Sequence, residues 1–178
     1  FGVSPASFLT TRSLEQIKND VAYSDCNVTL IGISAGISYG QLGSTHHSIH
    51  DFATLRTINN MTIVAPADNF EASEVIKQAV SYNQPLYIRY GKKPMMDIHP
   101  PGTKFKIGKS ILVKKGEDLT IIATGETLQR AYLAYEILKE NNIHCSIISM
   151  HTIKPFDKDT FLEFSKNSKA ILTIEEHS

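Results

Sequence analysis

NVTLIGISAGISYGQLGSTHHSI, residues 27–49, is the most informative stretch for the architecture. Its first seven residues are apolar and β-branched, which favours a short buried strand. The rest is a loop of Gly, Ser and His with no hydrophobic period. A loop that leaves a buried strand lies at the carboxyl edge of the sheet, where open α/β sheets collect their ligands. Gly36, Gly40 and Gly43 permit tight turns and close backbone approach. His46 and His47 are adjacent, but no third ligand follows at useful spacing, so a metal site is not indicated. His46 is the better candidate for a hydrogen-bond donor or proton carrier, because imidazole titrates near neutral pH.

Strands and helices alternate outward from this stretch. Leu14, Ile17 and Val21 recur at helical spacing over residues 13–22, with Ser13 as a possible N-cap. Residues 51–58 suit a short helix with Phe52 and Leu55 inward. Residues 61–64 form a strand that Pro66-Ala67-Asp68 closes. Asp68 then caps a helix carrying Ala72, Val75, Ile76 and Ala79. Pro85 opens the strand LYIRYG. Residues 92–104, KKPMMDIHPPGTK, hold three prolines and no period, so they are a linker by composition. Beyond them, strands at 106–113, 119–123, 144–150 and 170–174 alternate with helices at 127–139 and 157–164. Leu128, Ala131, Tyr135 and Leu138 share one helix face. Such alternation predicts mostly parallel sheets in two lobes.

Composition narrows the function. Lys plus Arg and Asp plus Glu both number 18, which argues against a broadly basic nucleic-acid surface. No apolar run approaches the length that crosses a bilayer, and a cytoplasmic location is expected. Cys26 and Cys145 lie in or beside apolar runs without a C-x-x-C pair, so reduced thiols are expected. The chain begins with Phe and stops four residues after a buried strand, which suggests a piece cut at both ends.

Several stretches together resemble the transketolase family. FLTTRSLEQI at 8–17, GQLGSTH at 40–46, NMTIVAPADN at 60–69 and YIR at 87–89 are similar to its pyrimidine-binding domain. GEDLTIIATG at 116–125 and TIKPFD at 152–157 are similar to its C-terminal domain. The resemblance implies an N-terminally truncated pyrimidine-binding domain over 1–94, a linker over 95–104 and a C-terminal-like domain over 105–178. It implies thiamine diphosphate as cofactor, and magnesium held in a diphosphate-binding part that this sequence lacks. The glutamate that protonates the cofactor's pyrimidine also falls outside it. An N-terminal transketolase section or subunit is thus the implied partner, with a homo-oligomer as the expected state.

The resemblance carries over residue by residue. Phe8 matches the aromatic that stacks on the aminopyrimidine, and Pro5 stands where another aromatic is frequent. His46 matches the histidine that faces the substrate carbonyl, and His47 falls to a scaffold role. Arg89 matches the arginine that grips a terminal phosphate, for which a planar guanidinium is suited. Arg12 is expected to partner the first helix. Ser34 and Leu42 stand where transketolases place a histidine and an aspartate against sugar hydroxyls, so donor-sugar contacts are reduced. His50 replaces a frequent glutamate. The expected activity is transfer of a two-carbon ketol unit between sugar phosphates, with the chain inactive alone. Deoxyxylulose-phosphate synthase, the β-subunit of a 2-oxo-acid dehydrogenase, and a non-catalytic oligomerisation module remain alternatives. The second lobe has only scattered His144 and His151 as candidate chemistry, which fits a structural role.

Overall fold

The computed structural model describes residues 1–177. Two sheets form, drawn largely from consecutive halves of the chain. The first runs in the order β1-β2-β4-β3-β8, from β1 (Gly2–Pro5), β2 (Thr29–Ile33), β4 (Leu86–Arg89), β3 (Thr62–Val64) and β8 (Thr152–Lys154). Its first four strands are parallel, and β8 adds antiparallel to β3. The second sheet runs β5-β7-β6-β9, from β5 (Ile111–Lys114), β7 (Cys145–Ser149), β6 (Leu119–Ala123) and β9 (Ala170–Ile174). There β7, β6 and β9 are parallel, and β5 is antiparallel.

Helices cover these sheets because their apolar stripes match. The α1 (Ala6–Arg12) and α2 (Leu14–Gln16) helices run into a π-helical stretch, Ile17–Tyr23, where a regular helix over 13–22 is expected. Ile17 still points into the core, at 2% exposure. After α3 (Asp51–Arg56), α4 (Asn69–Ala79) begins where Asp68 accepts the N–H of Glu71 at 2.9 Å, as its side chain predicts. Its Val75 and Ala79 are buried. In α5 (Thr127–Glu140) Leu128 and Ala131 are buried and Tyr135 and Leu138 pack beside them. The α6 helix (Lys158–Ser165) buries no residue fully.

Alternation along β4 distributes the core of the first sheet. Tyr87 joins Phe52, Leu55, Met61 and Ile63 on one face. Leu86 and Ile88 join Val64, Val75 and Phe105 on the other. Arg89 follows Tyr87's parity and therefore emerges on the Phe52 face.

Three elements depart from expectation. A strand and helix precede residue 13, so the sheet begins earlier than the 27–33 run suggests. The strand expected over 106–113 is confined to Ile111–Lys114, because residues 106–109 form a turn. Residues 152–154 form an unforeseen strand that joins the first sheet although it belongs to the second half of the chain. The two lobes are thus stitched by a shared strand as well as by the linker.

The linker contributes a buried cluster at this junction. His99 Nδ1 lies 2.7 Å from Asp68 Oδ2, and its Nε2 lies 3.2 Å from Glu71 Oε1. Asp68 Oδ2 also accepts the N–H groups of Ile98 and His99. From the second sheet, Ser149 donates its hydroxyl to Glu71 Oε1 at 2.6 Å. One histidine and two carboxylates therefore bind linker, first lobe and second lobe together.

Candidate active site

The site builds on the carboxyl ends of β2 and β4, which are neighbours in register, with Gly32 opposite Arg89. After β2 the chain turns at Ser34, whose φ is 53°. It then closes a loop by a reciprocal backbone pair. Gly36 N–H donates to Ser48 O at 2.9 Å, and Ser48 N–H donates to Gly36 O at 2.8 Å. Residues 37–47 are held out from this neck, with a kink at Gly43.

His46 sits on the loop beside Phe8 of α1. Their ring centroids are 5.1 Å apart in an edge-on arrangement, and Tyr39 approaches His46 similarly at 5.3 Å. Thr45 Oγ1 engages His46 Nδ1 at 2.9 Å, which leaves Nε2 for an incoming group. His47 Nε2 lies 3.1 Å from Gly40 O, so its N–H donates across the loop and helps fix its shape. Arg12 lies over the Phe8 ring at 4.2 Å. His50, at the start of α3, meets Thr11 Oγ1 at 3.1 Å and ties α3 to α1, which gives it a structural place.

Arg89 is buried, with 7% exposure, and is extensively engaged. Its Nε lies 3.0 Å from Asp51 Oδ2. That contact falls outside the N–H direction, so it is an ion pair rather than a linear hydrogen bond. Its Nη2 donates to Ser48 O at 3.2 Å and to Glu176 O at 2.8 Å. The guanidinium also lies 4.5 Å over the Phe52 ring. Tyr87 donates its hydroxyl to Asp51 Oδ2 at 2.8 Å. Burial and then the Asp51 charge push the Tyr87 hydroxyl well above its ordinary pKa, so it stays a donor.

The structure thus brings Phe8 and His46 into contact and puts Arg89 under the neck of the His46 loop. Ser34 is buried at the base of that loop, not on its open side. Leu42 is 54% exposed on the outer turn. Sequence reading passes over Tyr39, Asp51, Glu126 and Glu176. Tyr39 and Asp51 are near His46 in sequence, but only packing shows which ring or charge they meet. Glu176 lies 87 residues from Arg89, beyond any local pattern.

A thiamine-type pyrimidine fits this donor set in part. Phe8 is a half-buried aromatic at the sheet edge beside a histidine with one ring nitrogen open. Among the described residues, no group of three or more His, Cys, Asp or Glu side chains stands close enough to hold a metal ion.

This pair of α/β sheets has the fold of a transketolase-type protein. The chain belongs to the transketolase family. Residues 3–96 match the transketolase pyrimidine binding domain, and residues 108–178 match the transketolase C-terminal domain. An apulose-4-phosphate transketolase subunit of Phocaeicola vulgatus is 42% identical over the whole chain, which covers 57% of that protein. A putative transketolase C-terminal section of Methanocaldococcus jannaschii is 39% identical over the whole chain, which covers 56% of it. A solved split-gene transketolase, described as an inactive beta4 tetramer, superposes with a TM-score of 0.90 at 30% identity. That match covers 98% of this chain and 56% of the other. The chain therefore spans just over half the length of these relatives. Family membership implies thiamine diphosphate as the cofactor. No helix among the described residues is long and apolar enough to cross a membrane.

Proposed function

We propose that the chain is the C-terminal part of a transketolase-type enzyme that moves a two-carbon ketol unit between sugar phosphates in the cytoplasm. It works with an N-terminal section that supplies the diphosphate and magnesium site, in an assembly holding more than one copy of this chain. The observation that carries this reading is the Phe8–His46 pair at the carboxyl edge of the first sheet. Thiamine diphosphate, when bound, supplies the carbanion that attacks the ketose carbonyl. Phe8 offers the stacking surface for its pyrimidine. His46 Nε2 donates to the carbonyl oxygen as that atom gains charge. Arg89 attracts the substrate's phosphate from the end of β4, and Ser34 lines the floor between them.

A second reading stays within the family. The 1-deoxy-D-xylulose-5-phosphate synthase of Clostridium perfringens is 38% identical over 93% of the chain, though the chain covers only 27% of it. The Thr45-His46-His47 sequence suits that synthase.

The test is reconstitution with an N-terminal section and assay of ketol transfer. His46→Ala should lower kcat, because its donor matters most in the transition state. Arg89→Lys keeps a charge against Asp51 yet loses the planar fork. It should raise KM more for phosphorylated than for unphosphorylated substrates, by roughly tenfold, a charged hydrogen bond being worth about 1.5–3 kcal/mol, beside any common loss from the loosened Ser48 and Glu176 contacts. Equal weakening of unphosphorylated substrates would remove the phosphate assignment. Failure of any N-terminal section to restore thiamine-dependent turnover would favour an oligomerisation module.

A further inference from the structure

Two glutamates of the second lobe press onto two glycines of the first. Glu126 follows β6 and Glu176 follows β9, and these strands are parallel neighbours that pair Ala123 with Ile174. Gly36 follows β2 and Gly91 follows β4, again parallel neighbours. The carboxyl edges of the two sheets therefore meet. A Cβ on Gly91 would coincide with the Glu126 carboxylate, and a Cβ on Gly36 would coincide with the Glu176 carboxylate. Gly36 also has a φ of 63°, whereas at Gly91 the atoms nearest a Cβ are those of the Glu126 carboxylate, the flexible end of its side chain.

These contacts bear on the neck of the His46 loop. Gly36 is one half of the Gly36–Ser48 pair. Arg89 joins the other half to the second lobe, since its Nη2 donates to both Ser48 O and Glu176 O. The same tail places His177 edge-on to Phe52 at 5.1 Å. Gly91 stands between the end of β4 and Lys92, whose ammonium lies 4.6 Å over the Tyr39 ring that packs on His46. Two carboxylates in one narrow cleft repel each other. Burial, then the charge of Glu176, raises the pKa of Glu126. The N–H groups of Lys93 and Lys92 and the charge of Arg89 act against that repulsion.

We propose that Glu126 and Glu176 are positioning residues through which the second lobe fixes the loop that carries His46. They touch no reacting atom. They fill the space above Gly91 and Gly36, and so set the neck from which the loop projects. The catalytic consequence rests on the proposed role of His46; the ordering of the loop does not.

Hydrogen exchange on the full chain tests the clamp without any activity. Glu176→Ala should speed exchange of the Gly36 and Ser48 amides about tenfold or more, while amides of β6 and β7 keep their rates. Glu176→Gln keeps the shape and should retain protection. Glu126→Ala should likewise speed exchange of the Lys92 and Lys93 amides, which donate to it, and Glu126→Gln should retain their protection. Unchanged exchange in both Glu176→Ala and Glu126→Ala would overturn the proposal. In the reconstituted enzyme, Glu176→Ala should lower kcat more than it raises KM, with Glu176→Gln restoring it. Faster exchange with wild-type kcat would keep the clamp and instead sink the catalytic reading of His46.

Discussion

The first sheet is thickly covered on both faces, whereas the second has a thin apolar layer on one face and an open β9 edge. In the first, β3 and β4 are buried along their whole length, between one cluster around Phe52 and Tyr87 and another around Val75 and Ile88. In the second, Ile121, Ala123, Leu128 and Ile147 form a dry layer under α5. The opposite face has Ile122, Ile148 and Met150 as its buried apolar residues, beneath Phe161 and Phe164, with Thr120 and Ser146 buried beside them. Its edge strand β9 leaves Ile171 at 45% and Leu172 at 48% exposure. The better-covered sheet is therefore also the one that carries the candidate site. The doubly covered sheet is rigid enough to hold His46 and Arg89 at its edge. The second sheet reaches that edge through Glu126 and Glu176.

Core truncation should separate the two sheets most widely. Phe52 is fully buried, and Arg89 and His177 both pack against its ring. Phe52→Ala should lower unfolding free energy by about 3–5 kcal/mol, the range for a large core aromatic. Leu172→Ala on the open strand should cost about 0.5 kcal/mol or less, as for surface positions. Urea denaturation of both variants checks this. Similar losses would mean that β9 is covered in solution.

The alternation of strands and helices is legible because it rests on local period and on caps such as Asp68. The candidate-site loop is legible because its glycines and histidines stand together. What escapes notice is set by distance. β1 has four residues, ends in Pro5 and shows no alternation that a window could detect. β8 lies only two residues beyond β7, and pairs across to Thr62–Val64 rather than with its neighbour. His99 sits among prolines, where composition indicates a linker, yet its partners are about 30 residues upstream. Arg89 is recognisable as a strand-end arginine, but its ion pair with Asp51 depends on packing α3 over Tyr87.

A middle-sized effect tests the junction between the two sheets. Asp68 caps α4 and accepts from Ile98 and His99. Burial pushes its carboxyl up, but the His99 hydrogen bond and the backbone N–H groups of Glu71 and Ile98 outweigh it and hold the pKa at about 2. Asp68→Ala should lose the cap and leave His99 without its anion, a cost of about 2–3 kcal/mol. Asp68→Asn keeps the cap acceptor and should recover part of that loss. If Asp68→Ala destabilised only α4 amides and left the linker protected in hydrogen exchange, the junction would not depend on Asp68.

The smallest effect is a pH dependence that the second lobe alone should not share. Burial, above all, raises the pKa of Glu71 to about 7, against the pull of His99, Ser149 and the Ala67 N–H. Burial lowers that of His99, but its hydrogen bond to Asp68 and the charges of Glu71 and Asp68 leave it raised overall. His151 behaves oppositely. Burial and then the His99 charge lower it to about 3, so it stays neutral near pH 7. Both raised groups bind more protons folded than unfolded. Glu71 therefore withdraws stability as pH rises from 4.5 to about 7. The His99 contribution is complete below its unfolded value near 6.5 and is lost as pH climbs through its higher folded value. The slopes have the same sign, and Asp68 titrates far below this window. His151 opposes this up to its unfolded value near 6.5, so stability should fall between pH 7 and 8, by at most about 1.4 kcal/mol per pH unit for each proton involved. Urea midpoints across that range measure it. His99→Gln removes one titrating group and also the field that holds the Glu71 pKa down, so the remaining fall should move to higher pH. An unchanged profile in His99→Gln would place the titration elsewhere and leave the junction to be held by Ser149, β8 and the linker backbone.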